Sequence, residues 1–281
     1  MDGLKMNDGY VIPRLGLGTF RISREDAERS VEFALRNGYT LIDTANVYLN
    51  EEAVGRGIKN SEKPRDEFFL TSKIFPNLFE DMERAVDETL QRLQVEYIDL
   101  LLLHRPYGNI KKGWQGLVEA QKKGKVRSIG VSNFSLKQIQ QIVDVTGVTP
   151  VLNQIELNPY CPRIKFQKEL ETLGILTQSW YPFGGGKNPK LLKDRVLVEI
   201  ADAHHATVHQ IILAYMAARD VLAIPGSRTE SHIKSNLEAL DIKLTQGEID
   251  RISALRKNEG APDFGRLFYR AFSTNYFEPK K

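Results

Sequence analysis

One cysteine, Cys161, stands among 281 residues, which excludes an intramolecular disulfide and a zinc site built from several cysteines. No apolar run approaches the roughly 18 to 20 residues that a membrane span needs. The opening residues, Met1-Asp2-Gly3-Leu4-Lys5, lack the apolar core of a signal peptide and the Arg-rich pattern of a transit peptide. An excess of charge is missing too: 39 basic against 36 acidic side chains leave +3, so the balance does not argue for a nucleic-acid partner. No linker or low-complexity segment divides the chain. What is there, 41% hydrophobic and 27% charged residues, is the composition of a globular protein able to bury a sizeable core. The expectation is one cytoplasmic domain over residues 1–281, monomeric, with a core over about 14–240 and no membrane partner.

Short apolar runs alternate with longer stretches of helical period. The runs are Leu15-Gly16-Leu17, Tyr39 to Ile42, Phe68 to Leu70, Ile98 to Leu103, Ile129 to Val131, Val151 to Ile155, Ile175 to Trp180 and Val221 to Ile224. Between the first two, Ser23 can cap a helix that carries Ala27, Val31, Ala34 and Leu35 on one face, and Gly38 can end it. Eight such units in about 240 residues predict an α/β protein of the parallel (β/α)8 TIM-barrel type. The competing architecture is a doubly wound sheet with Gly16-x-Gly18 as its dinucleotide turn, but Arg21 stands where the third glycine belongs. The stretch Gly260 to Lys281 holds Phe264, Phe268, Tyr269, Phe272, Tyr276 and Phe277. So aromatic a C-terminal tail is expected to fold back on the barrel.

Barrel chemistry sits where strands end. Reading those ends in order gives Asp43, then Tyr48 on the same loop, Lys73 and His104. An ammonium held by a carboxylate keeps its charge and lowers the pKa of a nearby tyrosine, which then gives a proton to a developing alkoxide. A neutral histidine can hydrogen-bond the same oxygen. Such a constellation suits the reduction of a carbonyl.

These residues and their neighbours resemble the aldo-keto reductase family. The matching segments are Leu15-Gly16-Leu17-Gly18-Thr19-Phe20, Ile42-Asp43-Thr44-Ala45 with Tyr48 and Asn50-Glu51, Thr71-Ser72-Lys73, Leu103-His104-Arg105-Pro106, Gly130-Val131-Ser132-Asn133-Phe134 and Asn153-Gln154. The resemblance implies a single-domain (β/α)8 barrel with an N-terminal β-hairpin cap, and NADPH-dependent hydride transfer to an aldehyde, ketone, or keto or sugar acid. Tyr48 is then the general acid, Lys73 and Asp43 tune it, and His104 orients the carbonyl. Ser132, Asn133 and Gln154 fall where the family binds the nicotinamide carboxamide, and Trp180 where an aromatic ring stacks on it. Gly18, Thr19, Phe20, Tyr181, Phe183 and Gly184 fall on further cofactor-contacting segments. Ser227 and Arg228 fall beside the 2'-phosphate, and Asn236 near adenine. Phe20, Val47 and Phe75 correspond to pocket-wall positions. A nicotinamide-binding redox sensor with slow turnover is the alternative from another class.

Departures from the family pattern bear on specificity. Gly226, His232 and Ser235 stand where many members carry Lys, Arg and Glu, so Arg228 is left as the main cation for NADP(H). Glu230 keeps NAD(H) open, since a carboxylate can accept from a 2'-hydroxyl. Arg105 replaces a common tryptophan and either holds a substrate carboxylate or points outward. His204, His205 and His209 invite a metal reading because positions 205 and 209 share a helical face, but an outer-ring helix is a poor place for catalytic zinc, and no metal is expected.

Overall fold

The computed structural model describes residues 3–186 and 189–257; the aromatic tail from Gly260 to Lys281 lies outside these. A short hairpin, β1 (Gly3–Lys5) and β2 (Val11–Pro13), precedes eight parallel strands. They are β3 (Leu17–Gly18), β4 (Leu41–Asp43), β5 (Phe69–Ile74), β6 (Ile98–Leu103), β7 (Val126–Ser132), β8 (Leu152–Glu156), β9 (Leu176–Trp180) and β10 (Leu222–Ala223). Each pairs with the next in chain order. The ring closes between the two ends: Leu15 bridges Ala223 in parallel, the Gly16 amide donates to the Ala223 carbonyl at 2.9 Å, and the Gly18 amide to that of Pro225 at 3.1 Å. All eight apolar runs fall on strands of this barrel or on its closing seam. At that seam a Cβ added to Gly18 would lie 2.7 Å from the Ile224 carbonyl oxygen, so the two backbones meet only because the position is glycine.

Helices α1 (Arg24–Arg36), α2 (Glu51–Ser61), α3 (Met82–Leu93), α4 (Ile110–Lys122), α5 (Leu136–Thr146) and α6 (Ile164–Glu171) return the chain after β3 to β8 in turn. Ser23 caps α1 by accepting from the Asp26 amide, and Gly38, at φ +98°, follows its end, as the sequence implied. Between β9 and β10 lie two helices, α7 (Arg195–Ala203) and α8 (Val208–Ala217), where the unit count implied one. His205 at φ +51° breaks the path, and a Thr207–Gln210 capping box starts α8. His205 and His209 therefore do not share a helical face: His204 pairs with Glu248 at 2.9 Å and His209 packs edge-on against Phe183. Helices α9 (Glu230–Glu238) and α10 (Gln246–Ser253) complete the described chain.

Two-residue alternation sorts every strand between two cores. Ile42, Leu70, Leu101, Leu103 and Val131 face the helices, together with Val31, Val86 and Leu117. Leu41, Phe69, Leu100, Leu102, Leu152 and Leu222 fill the barrel, and Met6 and Ile12 of the hairpin region pack against them. The hairpin thus seals the end at which the strands begin. At the other end the inward register passes from leucine to polar side chains, which places the site.

Candidate active site

Continuing each inward row by two residues runs from Leu41 to Asp43, from Phe69 through Thr71 to Lys73, from Leu102 to His104 and from Leu152 to Gln154. Lys73 is fully buried, and its Nζ lies 2.5 Å from the Asp43 carboxylate, 2.8 Å from the Thr44 carbonyl and 3.4 Å from the Tyr48 hydroxyl. The second Asp43 oxygen accepts from Gln154 Nε2 at 2.8 Å, and the other Gln154 N–H bond runs to Gln178 at 2.7 Å. Tyr48 sits on a single 3₁₀ turn, Asn46–Tyr48, and its ring centroid is 5.6 Å from that of His104. All four residues singled out at strand ends are therefore in one cluster. A buried ion pair of this kind is costly to halve, about 3–5 kcal/mol, because the remaining charge has no water.

Burial pulls the Lys73 ammonium down, but Asp43 and Tyr48 more than offset it, so the lysine is held charged. Burial raises the Asp43 carboxyl, with the ammonium opposing it. Tyr48 differs from the expectation that Lys73 lowers it: protein atoms crowd the hydroxyl, and desolvation outweighs the ammonium, so its pKa is raised. The phenol therefore keeps its proton across the neutral range. His104 goes the other way, well below the usual imidazole value, through desolvation first and then the charges of Lys73 and Arg105. Its ring is uncharged, and its Nδ1 is buried without a hydrogen-bond partner. A phenol with a proton to give and a neutral imidazole beside it can both address one carbonyl oxygen.

Next to this cluster lies a set of neutral polar groups. Ser132 Oγ donates to the Gln154 carbonyl at 3.0 Å, Asn133 Nδ2 donates to Ser132 Oγ at 2.7 Å, and Trp180 Nε1 donates to Asn133 Oδ1 at 2.9 Å. Amide, hydroxyl and indole are thus locked together, with Asn133 held at φ +64°. An amide-bearing flat ring is the group this set fits: oriented amide and hydroxyl groups to bind a carboxamide and an aromatic surface to stack on. With both Gln154 N–H groups turned to Asp43 and Gln178, its Oε1 is the atom left for a ligand.

Phe20, Phe75 and Tyr181 surround the cluster. The Phe20 ring is 4.9 Å from that of Tyr48 and 6.0 Å from that of Tyr181, Phe75 meets His104 edge-on at 5.8 Å, and Tyr181 meets Trp180 at 4.9 Å. Val47 is half-buried beside Tyr48. Arg105 places its guanidinium 5.4 Å from the Trp180 ring centre.

The other expected cofactor residues make contacts within the protein. Gly18 forms the barrel seam, and Thr19 is buried, its hydroxyl within hydrogen-bond distance of the Asp43 carbonyl at 3.2 Å and of Thr44 Oγ1 at 2.9 Å. The Gly184 amide closes a turn onto the Tyr181 carbonyl, and Phe183 packs on His209 and the helix-side core. Arg228 is exposed just ahead of α9, whose N-cap residue Thr229 makes no side-chain cap bond, while Ser227 Oγ accepts from the Thr229 amide at 3.1 Å. Such a terminus, with an arginine beside it, fits a phosphate. Asn236, on α9, is buried beside the Tyr39 hydroxyl.

Three participants were not singled out from sequence. The Thr44 carbonyl accepts from Lys73, Asn46 Oδ1 accepts from the Phe75 amide at 3.1 Å, and Gln178 anchors Gln154. Gln178 was findable, lying two residues before Trp180 and hence on the same inward row. Among the described residues no group of three or more His, Cys, Asp or Glu side chains could hold a metal ion, and no helix is long and apolar enough to cross a membrane.

A parallel barrel with a proton-bearing tyrosine, a buried lysine and a neutral histidine at its strand ends defines a class, the oxidoreductases that act on carbonyl groups. A model of the aldo/keto reductase family matches residues 14–257, and the chain belongs to that family. It is 38% identical to the methylglyoxal reductase DkgA of Escherichia coli K12 over 256 residues, covering 90% of this chain and 92% of that one. It is 37% identical over 262 residues to the glyoxal reductase of Bacillus subtilis strain 168, covering 92% and 94%. Among solved structures, an aldo/keto reductase from Brucella melitensis superposes with a TM-score of 0.86 at 38% identity, covering 90% of this chain and 98% of that one. The Bombyx mori aldo-keto reductase in complex with NADP gives 0.89 at 33% identity, covering 95% and 96%. The protein is an oxidoreductase.

Proposed function

We propose that the protein reduces aldehydes, ketones and keto or sugar acids to alcohols with NADPH, and that Tyr48 supplies the proton. The observation that carries this reading is the Tyr48 hydroxyl at 3.4 Å from a buried, Asp43-paired Lys73, beside an uncharged His104. The reduced nicotinamide, when bound, supplies the hydride. Trp180 offers the surface for its ring, and Ser132, Asn133 and the Gln154 Oε1 hold its carboxamide, which fixes the face turned toward the substrate. His104 and Tyr48 bind the carbonyl oxygen. As charge grows on that oxygen, Tyr48 donates its proton, and the fixed Lys73 charge stabilises the phenolate left behind. Arg228 and the start of α9 would bind the 2'-phosphate, and Asn236, on the same helix, would contact the adenine.

The Escherichia coli and Bacillus subtilis relatives are named for methylglyoxal and glyoxal, so small dicarbonyls head the substrate panel. The test is NADPH consumption with methylglyoxal, glyoxal and a set of 2-oxo acids. Turnover of any of these, accompanied by quenching of Trp180 fluorescence on NADPH addition, is expected. Absence of both would overturn the reading.

A further inference from the structure

We propose that the site selects carbonyl substrates that carry a carboxylate beside the carbonyl, the 2-oxo acids, and that Arg105 anchors the carboxylate. The inference rests on the reductase reading above and adds the substrate class. Its basis is a pair of guanidinium groups on one aromatic wall. Phe20, Tyr48, Tyr181 and Trp180 form a chain of ring contacts with neighbouring centroids 4.9 to 6.0 Å apart. Arg21 lies 5.3 Å from the Phe20 ring centre, and Arg105 lies 5.4 Å from that of Trp180. The wall therefore carries two cations, and it ends on the proton donor.

Sequence adjacency ties Arg105 to the reacting oxygen. It follows His104 directly, and its charge is felt at His104, Tyr48 and Tyr181. The buried Glu156, in register with Trp180 on the neighbouring strand, opposes the two arginines at Tyr181. In a 2-oxo acid the carboxylate carbon is bonded to the carbonyl carbon. A carbonyl oxygen held between Tyr48 and His104 thus sets the carboxylate carbon only two bonds away, and the residue that follows His104 along the chain is a cation. The planar fork of a guanidinium matches the two oxygens of a carboxylate, which an ammonium or an indole does not. Two residues that hold this geometry, Arg21 at φ +60° and Tyr181 at φ +56°, adopt left-handed backbone. That is a conformation non-glycine residues keep where the surrounding structure imposes it.

A matched pair of substrates isolates the charge: phenylglyoxylate and its methyl ester share the ketone and the ring and differ in the carboxylate. Wild-type protein with NADPH is expected to favour the acid in kcat/KM by about tenfold or more, the size of one charge-assisted contact. Arg105→Gln should lower the acid-to-ester ratio about 10- to 100-fold, mainly through KM of the acid, and Arg105→Lys should recover part of it. A wild-type protein that reduces the ester as well as the acid, or an Arg105→Gln ratio equal to wild type, would overturn the proposal. Should the Gln variant fail to fold, the wild-type comparison and Arg105→Lys still decide. If acid, ester and methylglyoxal all leave NADPH unconsumed, the reductase reading fails instead.

Discussion

Single residues at this site do more than their type suggests, and their neighbours decide what. The sequence implies that Lys73 makes the Tyr48 phenol more acidic; desolvation raises its pKa instead, and desolvation is a property of packing that sequence does not print. Asn236 matches an adenine-contact position of the family in sequence, and the structure buries it beside the Tyr39 hydroxyl, a residue almost 200 positions away. Arg228 is the opposite case, exposed and at the start of a helix without a side-chain cap bond. Because it is the main cation proposed for the 2'-phosphate, Arg228→Gln should lower the ratio of NADPH to NADH affinity about 10- to 100-fold. Parallel fluorescence titrations with the two cofactors measure that ratio, and an unchanged ratio would remove Arg228 from the phosphate site.

Elements made the tetrad legible. Asp43 and His104 directly follow apolar runs and Lys73 lies three residues past one, and the two-residue alternation that sends Leu41, Phe69 and Leu102 into the barrel sends these three the same way. The same alternation would have yielded Gln178, whose only sequence signal is its place two residues before Trp180. Gly18 shows where a motif reading stops short: its segment matches a cofactor-contacting one, yet its clearest role is in closing the ring, with the Ile224 carbonyl 2.7 Å from where a Cβ would stand. Gly18→Ala should therefore cost about 1–3 kcal/mol through overpacking of that seam. Urea unfolding measures this, and a change below about 0.5 kcal/mol, the usual size for unconstrained surface positions, would show that the seam yields freely.

At the scale of the whole molecule, folding carries a neutral histidine into the end of the barrel, and this couples stability to pH. The folded His104 pKa lies well below its ordinary 6.5, so below that value the unfolded chain binds more protons and stability falls as pH drops, by up to about 1.4 kcal/mol per pH unit. Unfolding measured at about pH 7 and about pH 5.5 should show a loss that is smaller in His104→Gln by roughly 1 kcal/mol. Equal losses would mean that the imidazole charges freely in the folded state. The barrel and the clustering of Asp43, Tyr48, Lys73 and His104 were legible because each depends on local periodicity and on residues near strand ends. The doubled helix between β9 and β10 was not, since its break is one left-handed residue, His205.

The central claim is that Tyr48 is the proton donor, and the most direct measurement is turnover of methylglyoxal by Tyr48→Phe beside a fluorescence titration of the same protein with NADPH. Removal of a general acid typically costs 10²- to 10⁴-fold, so kcat should fall by about that factor while the affinity for NADPH stays within about twofold of wild type. Wild-type turnover by the phenylalanine protein would contradict the claim.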